Sequence, residues 1–93
     1  MKRTPKKVEL DGETWIKGYC DDRSGWWYEL KGPFGELVVE PEFDMDTFTV
    51  YWWPPRINSG EPVNLGRGQA TYEDAMRTGK SYLHHLSQAL ATG

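Results

Sequence analysis

Few stretches of this chain put reactive side chains at spacings that chemistry could use. His84 and His85 are adjacent, so on a helix their rings point about 100° apart and cannot close on one ion. No Cys or carboxylate stands four residues from either, the spacing a helical metal site needs. Glu40, Glu42, Asp44 and Asp46 alternate and would line one side of an extended strand. A calcium loop needs a Gly at its sixth position and a closing Glu, and a carboxylate pair for glycoside hydrolysis needs a cleft. The stripe therefore reads as a solvated strand edge that deters strand-to-strand aggregation, or as a field that steers a basic partner. Gly66-Arg67-Gly68 precedes a helix start, where backbone N–H groups can cradle an anion. The dinucleotide fingerprint wants a third Gly or Ala where Thr71 stands, inside a parallel βαβ unit. Cys20 has no His at a useful spacing. No catalytic residue, metal ligand or cofactor site follows, and the expectation is a protein that is not an enzyme.

The elements that would carry these residues are easier to read. From Thr71 to Ala91 the apolar and small residues fall at Tyr72, Ala75, Met76, Gly79, Tyr82, Leu83, Leu86, Ala89 and Leu90, the three-and-four spacing of an amphipathic helix. Thr71 with Asp74 supplies a cap, Glu73 and Asp74 suit the positive end of the helix dipole, and Gly93 marks the stop. Gly79 lies inside the apolar stripe at a cost of roughly 1 kcal/mol against Ala. A large group packed close against the helix, such as the ring of Trp52 or Trp26, explains it.

Ahead of the helix the pattern is of strands. Residues 1–7 read as a flexible basic tail and 8–93 as one domain. Val8-Glu9-Leu10 leads into Asp11-Gly12, a strong hairpin signal, with a return strand from Glu13 to Cys20. Asp21 to Gly25 is a turn cluster. Trp26 to Leu30 forms another strand, and Lys31 to Gly35 turns the chain again. Glu36 to Asp46 alternates but is interrupted by Pro41, which reads as an exposed, broken strand. Asp44-Met45-Asp46 would turn into a strand from Thr47 to Trp53, ended by Pro54-Pro55. Residues 54–70 read as a long loop with one short edge pairing at Val63-Asn64-Leu65. The fold class expected is α+β: an antiparallel meander of four to five strands, with one C-terminal amphipathic helix on one face.

A sheet has two faces and one helix covers one of them. The helix is expected over Ile16, Trp26, Tyr28, Leu30, Phe48, Val50 and Trp52. Trp15, Tyr19, Trp27, Tyr51 and Trp53 are then left on the opposite face as candidate partner-binding residues. A contiguous aromatic patch of that kind is seldom left in water without a reason, and Trp and Tyr dominate binding hot spots. The partner expected is a protein, either a cytoplasmic protein or a second copy in a homodimer. The competing reading is that the long loop folds back over the rings.

Composition narrows the setting. Five Trp among 93 residues supply large rings to a thin core. The lone cysteine and the lack of any apolar run of membrane-span length point to a reducing cytoplasm with no membrane role. Four of the eleven cations (Lys2, Arg3, Lys6 and Lys7) lie in the first seven residues, leaving seven against fourteen carboxylates in the body. An acidic body argues against a broad nucleic-acid face. The alternative function is a nucleic-acid accessory protein whose basic tail touches phosphate while exposed rings stack on bases.

Gly68-x-Ala70-Thr71-x-Glu73-x-Ala75, following a Trp-rich strand, resembles the small strand-strand-strand-helix proteins encoded by tailed phages, especially phages of actinobacteria. The likeness spans residues 13–91 in layout. It implies a cytoplasmic accessory protein made during infection that binds and disables a host factor, and it brings no family active site. The Trp26-Trp27 and Trp52-Trp53 pairs belong to no family pattern.

Overall fold

The computed structural model describes residues 6–20, 25–42, 46–55 and 61–92, with the side chains at 19, 20 and 90–92 left aside. The tail residues Met1 to Pro5, the turn residues at 21–24, the Asp44-Met45 turn and the Gly93 stop lie outside the described residues. The chain runs β1 (Lys6–Leu10), β2 (Glu13–Cys20), β3 (Gly25–Gly32), β4 (Gly35–Pro41), β5 (Phe48–Trp53), β6 (Val63–Gln69) and α1 (Tyr72–Thr92). The strands form one antiparallel sheet in the order β1-β2-β3-β4-β5-β6, so every strand pairs with its neighbour in sequence. The class is α+β, a meander with a C-terminal helix packed against it.

The local reasons are plain. Asp11 (φ 52°) and Gly12 (φ 83°) both sit in the left-handed region, the backbone of a two-residue hairpin turn, and set Leu10 opposite Glu13. A second tight turn at Pro33-Phe34 pairs Gly32 with Gly35 and is pinned by the Trp52 indole, whose Nε1 donates to the Phe34 carbonyl at 2.8 Å. The helix starts as its cap predicts. The Asp74 N–H donates to Thr71 Oγ1 at 3.0 Å, and the Ala75 N–H donates to the Thr71 carbonyl at 3.2 Å.

The core lies between α1 and one face of the sheet. Trp15, Leu37, Val39, Val50, Ala75 and Met76 are fully buried there, and Tyr28 nearly so. Each of the larger side chains among them stabilises by about 1.5–3 kcal/mol. Tyr72 stacks on Tyr28 with ring centroids 4.4 Å apart and meets Phe48 edge-on at 6.4 Å, while Tyr82 tilts against Trp52 at 5.2 Å. Burial, with Tyr72 and Glu73 adding to it, pushes the Tyr28 phenol up to about 12. Two ion pairs join the helix to the first hairpin: Arg77 Nε to Asp11 Oδ2 at 3.1 Å, and Lys80 to Glu13.

Gly79 is buried against the sheet as its place in the stripe predicts, but not against a ring. A Cβ there would stand 3.1 Å from both Leu37 methyls and 3.1 Å from Val50 Cγ2. The aliphatic centre of the sheet is what the helix approaches.

Three expectations are corrected. The sheet has six strands rather than four or five. The short edge pairing expected at Val63-Asn64-Leu65 is a full strand, β6, that runs on to Gln69. Its continuation contains Gly66 and Gly68 and is poor in strand-forming types, and the strand pairs with β5 through register shifts around Val50. The stretch beginning at Glu36 is not an exposed edge: β4 lies between β3 and β5, with alternate residues buried. Pro41 ends that strand rather than breaking it. Lys6 and Lys7, assigned to the tail, belong to β1.

Candidate functional site

Strand register decides which side chains share a face. Lys17, Tyr28, Val39 and Val50 lie in one cross-strand row, on the helix side. Ile16, Glu29, Val38 and Tyr51 form the neighbouring row, on the side with no covering element among the described residues. Gly18 and Trp27 pair on that open side, as do Lys31, Glu36 and Trp53. Ile16 is 37% exposed and Trp53 41%, while Trp27, Val38 and Tyr51 are half-buried among their neighbours.

Of the five residues expected here, three are in place: Trp27, Tyr51 and Trp53. Trp15 is a correction. It is 0% exposed and packs in the core with the helix. Its indole N–H has no acceptor among the described residues, the lone polar defect recorded in that core. Tyr19 is a second correction at the level of register alone: it pairs with Trp26 rather than falling in step with Trp27. Ile16 moves the other way, from the expected core to the open face. The cause is the β2–β3 connection. Cys20 pairs with Gly25, so four residues intervene, and that even count puts odd-numbered β2 residues beside even-numbered β3 residues. Expecting Trp15 and Trp27 on one face assumed an odd count, and a one-residue slip reverses every side chain.

The remaining rings sit in a defined setting. Trp27 lies flat across Gly18: a Cβ at that glycine would come within 2.3 Å of Trp27 Cζ2. The glycine is the seat of the indole. At the other end, Glu36 stands between Lys31 and Trp53 across the strands and shares a side-chain hydrogen bond with Glu29. That bond, then partial burial and the charge of Glu29, raise the Glu36 carboxyl to about 7, while Lys31 pulls the other way. Beside it a shallow recess of about 240 Å³ is lined by Lys31, Glu36, Trp53, Pro54 and Pro55. The carboxylate pair was missed by sequence reading because Glu29 and Glu36 sit on different strands, and only the tight Pro33-Phe34 turn brings them together.

The other chemical candidates do not converge. Glu42 is taken up structurally: its Oε1 accepts from the Gly68 N–H at 2.6 Å and from Thr47 Oγ1 at 3.0 Å. The first of these is the main reason its carboxyl is held below the usual range. Glu40 lies on interior strand β4, which corrects the reading of a solvated edge, Asp46 is exposed, and Asp44 lies outside the described residues. Gly66-Arg67-Gly68 is strand rather than anion-binding loop. His85 Nδ1 bonds its own helix at the Ser81 carbonyl, 2.9 Å away, and His84 meets it only edge-on. Among the described residues no group of three or more His, Cys, Asp or Glu could hold a metal ion, and no helix is long and apolar enough to cross a membrane. Comparison of the chain with protein-family models, with curated proteins and with solved structures finds no match.

Proposed function

We propose that this chain is a non-enzymatic accessory protein that docks a protein partner on the open face of its sheet. The observation that carries the reading is the cluster of Ile16, Trp27, Val38, Tyr51 and Trp53 opposite the helix, which no element among the described residues covers. Residues 56–60 of the loop expected to fold back over it lie outside the described residues. Its outermost members, Ile16 and Trp53, are large apolar side chains more than a third exposed. Rings that are rigid and amphipathic contribute large contact area at low entropic cost, which is why they recur as anchors at interfaces. The likeness of the Gly68 to Ala75 segment to phage accessory proteins makes a host cytoplasmic protein the first partner to seek, with a second copy of the chain as the other candidate occupant.

The test is a paired affinity capture from host cytoplasm, using the wild type and a Tyr51→Ser/Trp53→Ala double variant, beside the light-scattering mass of each. The expected result is a defined protein retained in stoichiometric amount, or a dimer mass, that the variant loses while keeping its circular dichroism and melting behaviour. Retention of the same species by the folded variant rejects the face. Binding of a labelled oligonucleotide that falls steeply with salt would replace this reading with the nucleic-acid one.

A further inference from the structure

The open face is not uniformly apolar, and its polar members limit what can dock there. Glu29 stands opposite Val38 and Glu36 opposite Lys31, so the two carboxyl groups are diagonal neighbours on this face, and Glu36 lies across from the exposed ring of Trp53. Two neighbouring carboxylates repel when both are ionised, so an apolar or acidic partner surface laid over them would bury an unfavourable pair of charges. A cation laid over them relieves it.

We propose that this face selects a partner that presents an arginine side chain, seated on the Trp53 indole with its guanidinium directed at Glu29 and Glu36. The inference rests on the docking reading above and names the chemistry of the partner. A guanidinium matches the corner in two respects at once: its planar face stacks on an indole, and its fork of donors meets carboxylate oxygens. The recess of about 240 Å³ formed by Lys31, Glu36, Trp53, Pro54 and Pro55 opens at the same corner, and its Trp53 and proline side gives the stem of the side chain an apolar wall once the Lys31 ammonium swings out.

The groups that face Glu36 are few. From β3 come Glu29 and Lys31, from β5 the Tyr51 phenol and the Trp53 ring, and along β4 itself Glu40. The helix lies on the far side of the sheet. Lys31 is the resident cation, exposed and on a flexible stem, and it yields the position to an incoming guanidinium. The proton held by the Glu36 carboxyl leaves as the cation arrives, so binding is linked to proton release. Because Glu36 titrates near 7, affinity rises with pH, by up to about tenfold between pH 6 and 8 for one linked proton.

The probe is an acetylated hexa-arginine peptide, with hexa-citrulline as its neutral counterpart, measured by calorimetry at moderate salt in two buffers of different ionisation enthalpy. Variants Glu36→Gln and Glu29→Gln are compared with Asp74→Asn, an exposed carboxylate on the helix side. The expected result is binding of the arginine peptide alone, tightening toward pH 8 with release of up to one proton. Glu36→Gln weakens it several-fold and flattens the pH profile, and Asp74→Asn leaves both unchanged. Equal binding of the citrulline peptide, a flat profile in the wild type, or equal losses in Glu36→Gln and Asp74→Asn overturns the proposal. Capture that is lost in Tyr51→Ser/Trp53→Ala but untouched by Glu36→Gln also overturns it while leaving the docking face standing. Capture unaffected by either variant removes the face itself.

Discussion

The two sides of this sheet are built from the same strands but differ in composition. On the helix side the central row is Tyr28, Val39 and Val50, closed by Ala75 and Met76. One residue along, the open row reads Ile16, Glu29, Val38 and Tyr51, with apolar and charged groups interleaved. The first row can be sealed because its polar groups are few: the Tyr28 hydroxyl and, at the β2 end, Lys17, whose ammonium lies over the Trp26 ring. The second cannot be sealed by a plain apolar cover, because the Glu29 carboxylate within it would lose its water without compensation. The two sides therefore differ in kind: one holds the fold together, and the other is the face on which the proposed docking of a charged partner rests. The same residue type serves both, Trp15 in the core and Trp53 on the outside, separated only by strand parity.

The largest expected effect comes from exchanging the roles of those two indoles. Trp15→Ala empties a fully buried site and should cost about 3–5 kcal/mol, although the unpaired indole N–H places it toward the lower end. Trp53→Ala should cost less than about 1 kcal/mol, because the ring is already 41% exposed, and its effect should appear in binding. Urea midpoints of the two variants check this. Equal losses would mean that the sides are not functionally distinct.

Glycine substitutions sharpen the same contrast. Gly79→Leu drives a side chain into Leu37 and Val50, which already stand 3.1 Å from a Cβ, and should lower stability by about 1–3 kcal/mol. Gly18→Val meets a softer obstacle, since Trp27 Cζ2 is the far end of a side chain on the open side. The better strand propensity of Val offsets part of the strain, so the net change should stay within about 1 kcal/mol. Its signature is spectroscopic: Trp27 is lifted off its seat, tryptophan emission shifts to the red, and capture of the partner weakens. Unchanged emission would mean that Gly18 does not seat the ring.

Those predictions rest on elements that the sequence made visible to different degrees. The helix, its Thr71 cap and the Asp11-Gly12 turn were legible because each depends on a few adjacent residues. Trp26, Tyr28, Leu30, Phe48, Val50 and Trp52 could be assigned to the helix side because each strand alternates cleanly. Trp15, Tyr19 and Ile16 were misassigned together, since one connection of four rather than three or five residues sets the parity of all of β2. Strand β6 was legible only as a short pairing at Val63-Asn64-Leu65, for a different reason. Its glycines carry no strand signal, and it is held by β5 and by the Glu42 carboxylate on the Gly68 N–H, contacts that local pattern does not encode. The Glu29–Glu36 pair is likewise a product of folding.

The smallest expected effect concerns that pair. Glu36 titrates near 7 in the folded chain against an ordinary value of 4.5, so between those values the folded state holds the more protons. Its contribution to stability is full below about 4.5 and declines as pH rises through 7. Solvent screening of a half-buried surface pair limits the decline to a few tenths of a kcal/mol, at most about 1. Glu42 behaves in the opposite sense: held below the usual range chiefly by the Gly68 N–H, it adds stability at higher pH and loses it as the solution turns acid. The two windows separate, so the difference in melting temperature between wild type and Glu36→Gln, followed from pH 5 to 8, isolates the open-face pair. The variant should gain on the wild type as pH rises, and bound hexa-arginine should cancel that gain by stabilising the ionised pair. A difference that stays constant with pH would mean that the Glu36 carboxyl is not raised by its neighbours, and the open face would lose the feature that distinguishes it from a merely uncovered one.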